Sequence, residues 1–426
     1  MQTNAKKLFE LIRKKGVFRK DLKETVGKWT TSQIGSFLEE CEGIAPYVES
    51  TDIGNHTFDF AASSTLSGAC YPCSHPSCRL KQVDRVARFA ALYANHVLIL
   101  NPLPAHVPDV VDQDFRLKLC GDLQVLNHVR PLLEAGIVGL SPNYFALCDH
   151  HFAQLRHAEQ KLRREASKVL SSYLKHISIK FSQKDDYVFV EFEGPEKIFE
   201  HGGGVRLVKG KLAEVKRQGK LRLVVDHIDG SLFDVLRQNV RGGLSYITGR
   251  DLDLDLIQAL NNSDVDRRNQ ALFRAFAHSL PYIERTDIQN LVNVRKAEPE
   301  AFAVYRYSLS AALNTASNAK LKDYDQVFKD EVLPQLSTID LAIKNSRKLL
   351  TRSVATDLGI GAGLVGVGLL SGILPPNMGE VATVVGGYSF VKGLAQQVCQ
   401  LTSEPLSIRD NKYYLLWKLR KKTSDS

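Results

Sequence analysis

A chain of 426 residues, 44% hydrophobic and 24% charged, has the composition of a globular protein rather than a disordered or collagen-like one. Its length suits roughly two to four domains with a proper core. The formal charge of +9 permits a polyanionic partner, nucleic acid or anionic lipid, without requiring one.

Residues 1–60 carry three helical patterns. KKLFELIRKKG lines up Leu8, Leu11 and Ile12, RKDLKETVG lines up Leu22 and Val26, and TTSQIGSFLEECEG places Ile34, Phe37 and Leu38 inward with Thr30 or Thr31 as N-cap. IAPYVESTDIGNHTFDF then reads as a two-stranded wing turning at Gly54–Asn55. This order resembles a winged helix-turn-helix module. The resemblance implies nucleic-acid contact, with Lys14, Lys15, Arg19 and Lys20 near phosphates and Thr31, Ser32 and Gln33 at bases. The third helix lacks Lys and Arg and carries Glu39, Glu40 and Glu42, which suits contact with a protein or a plain helical bundle instead.

Residues 61–151 read as an α/β unit bearing a split cluster of metal-ligand type. GACYPCSHPSCR supplies Cys70, Cys73 and Cys78, and ALCDHH supplies Cys148 and His151. Four of these five suffice for one tetrahedral, structural zinc; the alternative is buried thiols acting as small hydrophobes. Seven cysteines is an odd count, and MQTNAKKLFE has no signal-peptide pattern, so a reducing cytoplasm is expected rather than disulfides. Between the halves, VDRVARFAALYAN and LQVLNHVRPLLEAG read as helices, the second stopped at Gly136. NHVLILNP and Ile137–Leu140 read as neighbouring parallel strands covered on both faces. That layout brings the Cys78 side of the first helix and the Cys148 side of the second strand to one sheet edge. Asp109, Asp112, Asp114 and Asp122 are a candidate Mg²⁺ set, or simply the solvated acids of a polar loop.

Residues 152–264 read as a second α/β region. A charged connector helix precedes the strands HISIKF and YVFVEFEG, joined at QKDD, and Gly202–Gly204 reads as a flexible turn. LRLVVDHIDG reads as a strand ending at Asp226, His227 and Asp229, a set that could ligate a metal. The run from Ser231 reads as helix, turn and helix, with Asp251, Asp253 and Asp255 along an exposed acidic edge.

Residues 265–350 are expected to be helical arms, with Phe302, Tyr305, Leu309 and Leu313 on one stripe. In 351–400, LGIGAGLVGVGLLSGIL has no charge, and Gly359/Gly363 and Gly368/Gly372 repeat at the four-residue spacing of closely packed helices. This hydrophobic hairpin is expected either to pack internally or to contact a membrane peripherally. The basic tail 401–426, with Tyr413, Tyr414 and Trp417, would sit among headgroups.

The sequence therefore reads as a mixed α/β, multidomain protein: winged-helix-like N-terminus, zinc-stapled α/β core, and helical C-terminal region with a glycine-rich hairpin. Its expected function is that of a non-enzymatic sensor or adaptor in the cytoplasm, peripheral to a membrane when the hairpin engages it. Nucleic acid or protein is its partner, self-association is open to it, and no residue is singled out as catalytic. Joining recognition domain to hydrophobic effector resembles the layout of bacterial stress and phage-defence proteins. The alternative is a metal-dependent hydrolase or nuclease using the Cys/His edge or the Asp109–Asp122 carboxylates.

Overall fold

The structure, a computed structural model, describes residues 2–18, 21–47, 59–69, 75–142, 149–199, 202–228, 245–250, 252–253, 281–283, 287–297, 299, 302–303, 358–360 and 365–367.

The three N-terminal helices form where the apolar spacing places them. α1 (Gln2–Lys14) buries Ala5, Leu8, Phe9 and Ile12 on one face. α2 (Leu22–Gly27) opens on Asp21, whose carboxylate accepts the Lys23 N–H at 2.9 Å. α3 (Thr31–Ile44) opens on a capping box: Thr30 Oγ1 accepts the Gln33 N–H at 3.2 Å, and Gln33 Oε1 accepts the Thr30 N–H at 2.8 Å.

Most of the expected wing, residues 48–58 with its turn at Gly54–Asn55, lies outside the described residues. Asp59–Ala62 is β1, a strand inside a parallel sheet, and all four of its residues are buried. A strand covered on both faces suits that sheet better than a hairpin arm wetted on one side. Tyr47, placed by the sequence in the other arm, bridges in parallel to Leu140 instead.

α4 (Pro76–Leu92), β2 (His96–Leu100), α5 (Gln113–Ala135) and β3 (Val138–Ser141) are the two expected helix–strand units, and β2 and β3 are parallel neighbours. α5 ends at Gly136, in the left-handed region at φ 74°. The N-terminal helices are not a separate body. Their buried side chains share one core with α4, α5 and the sheet. Arg116 of α5 donates to the carbonyls of Val26 and Trp29 at 2.8 and 2.7 Å, capping the end of α2. A division at residue 60 thus falls inside β1 and inside this core.

α6 (Asp149–Ser171) was expected as a charged connector, yet it buries Leu155, Leu162, Ala166 and Leu170 in a second core. β4 (Ser178–Lys184), β5 (Tyr187–Glu193) and β6 (Gly203–Lys209) form an antiparallel sheet in that order, with the β4–β5 hairpin as expected. Its inner face presents Val188, Val190 and Phe192 to the core. Gly203 and Gly204 belong to β6 rather than to a flexible turn. α7 (Leu212–Arg217) follows, and then residues 220–228 are helical where LRLVVDHI suggested a strand. Leu223, Val224, Val225 and Ile228 lie buried there, a spacing that fits one helical face.

β7 (Ser245–Thr248) arises in a stretch read as helix, turn and helix. β8 (Pro281–Ile283) precedes α8 (Ile288–Ala297), which packs on α4 and α5, with Arg295 donating to the Ala90 carbonyl at 2.9 Å. Phe302, expected on a packed stripe, is buried under the Arg295 guanidinium.

β9 (Leu358–Ile360) pairs antiparallel with β8, and β10 (Val365–Val367) pairs antiparallel with β7. The glycine-rich run therefore contributes strands, not a glycine-seamed helix, at the residues described. LGIGAGLVGVG alternates glycine with apolar residues, and a four-residue glycine repeat is also a multiple of the strand period. The larger sheet runs β10-β7-β1-β2-β3, with β7, β1, β2 and β3 parallel. Among the described residues no helix is long and apolar enough to cross a membrane.

Candidate functional site at the carboxyl edge of the parallel sheet

Parallel register sends the chain out of β1, β2, β3 and β7 along one edge. In open sheets of this kind ligands bind outside the carboxyl ends of the strands, where the order reverses. Here that point lies between β1, which leads on to β2, and β7 on its other side.

Buried polar residues concentrate at this edge: Ser63, Thr65, Ser67, Asn101, Ser141, Thr248 and Asp253. The loop after β1 is held by its own hydroxyls. Ser63 Oγ accepts the Leu66 N–H at 3.2 Å, and Ser67 Oγ donates to the Ser63 carbonyl at 2.8 Å while accepting the Leu100 N–H at 3.0 Å. Ser63 N–H donates to the Ile247 carbonyl at 2.8 Å, tying this loop to β7. At the ends of β2 and β3, Asn101 donates to Tyr47 Oη at 2.8 Å, and the Tyr47 hydroxyl donates to Glu42 of α3.

After β7 the Thr248 hydroxyl donates to Asp253 Oδ2 at 2.6 Å and accepts the Arg250 N–H at 3.2 Å. Asp253 is buried, not part of an exposed acidic edge, and its Oδ1 has no hydrogen-bond partner among the described residues. Burial pushes its carboxyl above the ordinary range, against the opposing pull of Arg250 and the Thr248 hydrogen bond. The Asp253 carboxyl and the Ser63, Ser67 and Thr248 hydroxyls thus form a buried polar layer at the carboxyl edge of the sheet. Beside it, Gly249 approaches Arg85 and Leu66 closely: an added Cβ would meet Arg85 Nη1 at 3.0 Å and Leu66 Cδ2 at 3.4 Å.

Arg79 and Asp122 brace the edge from beneath. Arg79 Nε donates to the Gly68 carbonyl at 2.6 Å, and its Nη2 pairs with Asp122 Oδ1. Burial pushes the Asp122 carboxyl up to about 6 in spite of the Arg79 guanidinium, and Asp122 Oδ2 has no hydrogen-bond partner among the described residues.

The expected zinc ligands are placed only in part. Cys78 stands in the first turn of α4 and His151 in the first turn of α6, the helices that follow β1 and β3. Cys70, Cys73 and Cys148, and the side chain of His151, lie outside the described residues. Among the described residues no group of three or more His, Cys, Asp or Glu side chains could hold a metal ion. Two other cysteines, Cys41 and Cys120, are core residues, and burial pushes the Cys41 thiol up to about 12.

The aspartates considered for Mg²⁺ do not gather. Asp112 is the N-cap of α5, accepting the Phe115 N–H at 2.8 Å. Asp122 faces Arg79, about 15 Å further along the helix at 1.5 Å per residue. Asp109 and Asp114 are exposed. Of Asp226, His227 and Asp229, the last lies outside the described residues, and among those the other two join no ligand group. Asp226 lies between Arg163 and Arg206, at 3.1 and 3.3 Å, and His227 packs against the Phe192 and Phe199 rings at 4.6 and 5.5 Å.

The residues expected to meet nucleic acid fall into two groups. Thr31, Ser32 and Gln33 are exposed together at the start of α3. Lys14 is exposed at the end of α1, while its neighbour Lys15 pairs with Glu40 at 2.8 Å. Glu40 lies about 14 Å along α3 from Thr31, so the basic end of α1 flanks the far half of that helix. Arg19 and Lys20 lie outside the described residues, as do Gly363, Gly368, Gly372 and Trp417. Gly359 is in β9, opposite Tyr282.

Sequence reasoning missed Thr248, Asp253, Arg79 and Asn101. The signal for the edge was the hydroxyl-rich AASSTLSG immediately after an apolar strand. No protein-family model, curated protein or solved structure matches this chain.

Proposed function

We propose that this protein is a non-enzymatic sensor or adaptor. Its recognition unit is the N-terminal helices together with the carboxyl edge of the parallel sheet, and its effector is the glycine-rich segment 354–400. Zinc held by four of Cys70, Cys73, Cys78, Cys148 and His151 clamps the edge. The start of α3, with Thr31, Ser32 and Gln33, contacts a nucleic-acid or protein partner, and Lys14 and Lys15 add charge to one flank.

One observation carries the reading: the register of β10 on β7. Val365 lies opposite Thr248, the residue whose hydroxyl holds the buried Asp253. A change at the edge is thereby one strand away from the glycine-rich segment. Among the described residues β10 is a three-residue outer strand, held through β7 alone. Such low-stability elements are the ones recruited for switching. A partner that pulls on Thr248 or Asp253 weakens the seat of β10 and frees 354–400 for another protein or a lipid surface.

The test is limited proteolysis of the full chain with Thr248→Val and Asp253→Asn. Cleavage within 354–400 should accelerate in both variants while the remainder stays protected, and membrane-fraction recovery should rise with it. Unchanged cleavage would remove the coupling. Zinc is tested separately by metal analysis of purified protein. About one equivalent is expected, lost in Cys73→Ser and in Cys148→Ser.

A further inference from the structure

The outer face of the antiparallel sheet points to a second copy of this chain. Strand alternation puts Lys180 and Lys184 of β4, Tyr187, Phe189, Glu191 and Glu193 of β5, and Val205, Leu207 and Lys209 of β6 on that face. Three of these are large apolar side chains left in water: Tyr187 is 42%, Leu207 52% and Val205 62% exposed. Phe189 lies directly opposite Leu207, and Val205 opposite Glu191, so the apolar groups adjoin across β5 and β6. Contiguous apolar surface of this kind marks a contact site.

The charges on the face decide the partner. At the hairpin end, Lys184 and Lys209 flank Tyr187. At the other end stand Glu191 and Glu193, and Lys180 reaches Glu193 at 4.0 Å. Two glutamates in the middle strand argue against a polyanion or an anionic membrane. A face positive at one end, apolar in the middle and negative at the other complements itself when reversed.

We propose that two chains stack these faces about a two-fold axis running across the strands between the Phe189 and Glu191 rows. Reversal sets Leu207 of each copy over Val205 of the other and brings Lys184 and Lys209 beside the glutamates of the second copy. Both contacts occur twice, as an isologous interface requires. Three strands of seven residues cover only about 14 Å by 23 Å. That is well under the roughly 800 Å² per partner of a standard interface. The dimer is accordingly weak, concentration-dependent and sensitive to salt.

The experiment is sedimentation equilibrium of the full chain with two charge-reversed variants. Wild type should associate in the micromolar range, and added salt should weaken it. Lys184→Glu/Lys209→Glu and Glu191→Lys/Glu193→Lys should each be monomeric, with association at least about tenfold weaker. Mixed in equal amounts they should form a heterodimer, because reversal then pairs opposite charges at both ends. A monomeric wild type, variants that still self-associate, or a mixture that stays monomeric would each overturn the proposal. So would gain of nucleic-acid binding in Glu191→Lys/Glu193→Lys together with a monomeric wild type. Recovery in the mixture also excludes misfolding as the cause of monomer formation.

Discussion

Arg79 of α4 and Asp122 of α5 form an ion pair whose side chains are each only 1% exposed. The pair joins two helices and, through the Gly68 carbonyl, the loop that follows β1. Taking away one partner leaves the other charge stranded out of water. Asp122→Ala should therefore destabilise the protein by about 3–5 kcal/mol, whereas Arg79→Met with Asp122→Leu should recover most of the loss. Urea unfolding of the single and double variants measures both.

The pH dependence contains two opposing contributions. The Asp122 carboxyl, ordinarily near 3.8, is raised to about 6 by burial. Between those values the folded chain keeps a proton that the unfolded chain has released. This contribution is full below 3.8 and is lost as pH rises through 6. His227 acts the other way: burial, then Arg250 and Arg206, lower it from 6.5 to about 4. Its contribution is present above 6.5 and is lost as pH falls through 4. Asp122→Asn should leave a stability that climbs more steeply with pH between 4 and 6.5 than wild type, and His227→Gln should leave one that falls. Urea midpoints at several pH values read the slopes; parallel slopes in all three proteins would refute the assignment.

Gly204 exists as glycine because His227 occupies the space above it. An added Cβ would stand 2.5 Å from His227 Nε2 and 2.8 Å from its Cε1. The ring cannot move freely, being packed on Phe192 and Phe199. Gly204→Ala should cost about 1–3 kcal/mol. Combined with His227→Ala it should cost less than the sum of the two single changes, a non-additivity that thermal melts of the four proteins can measure.

Arg116 is the main polar link between α5 and the end of α2. Arg116→Ala leaves the Val26 and Trp29 carbonyls without that donor, which should cost about 1–3 kcal/mol. Hydrogen exchange should rise in α2 and at the start of α3 more than in α4 or β2. Uniform exchange across the domain would show that the N-terminal helices do not loosen on their own.

The strongest sequence signals were local and apolar. Val83, Val86 and Ala90 marked α4, Val97–Leu100 marked β2, and Gly136 marked the end of α5, all as found. The misses share a cause. β1 and β7 are four-residue strands whose identity comes from pairing with each other across distant parts of the chain, and no local window contains that partner. LRLVVDHI has apolar residues dense enough for strand or helix, and burial against the antiparallel sheet selected the helix. The site was legible as an edge, because parallel strands fix where connections emerge. It was not legible as a set of side chains: Asp253 looked like one member of an alternating acidic run, and only the fold buries it beside Thr248.

β1 is bonded on one side to β2, which follows it closely, and on the other to β7, encoded more than halfway along the chain. During synthesis its first edge can close early, while the second stays open until Ser245–Thr248 has left the ribosome. An apolar strand with an unsatisfied border is a template for neighbouring nascent chains. Fragments ending before residue 245 should therefore aggregate or recruit chaperones, and the first point at which soluble product appears in a series of C-terminal truncations should fall beyond Thr248.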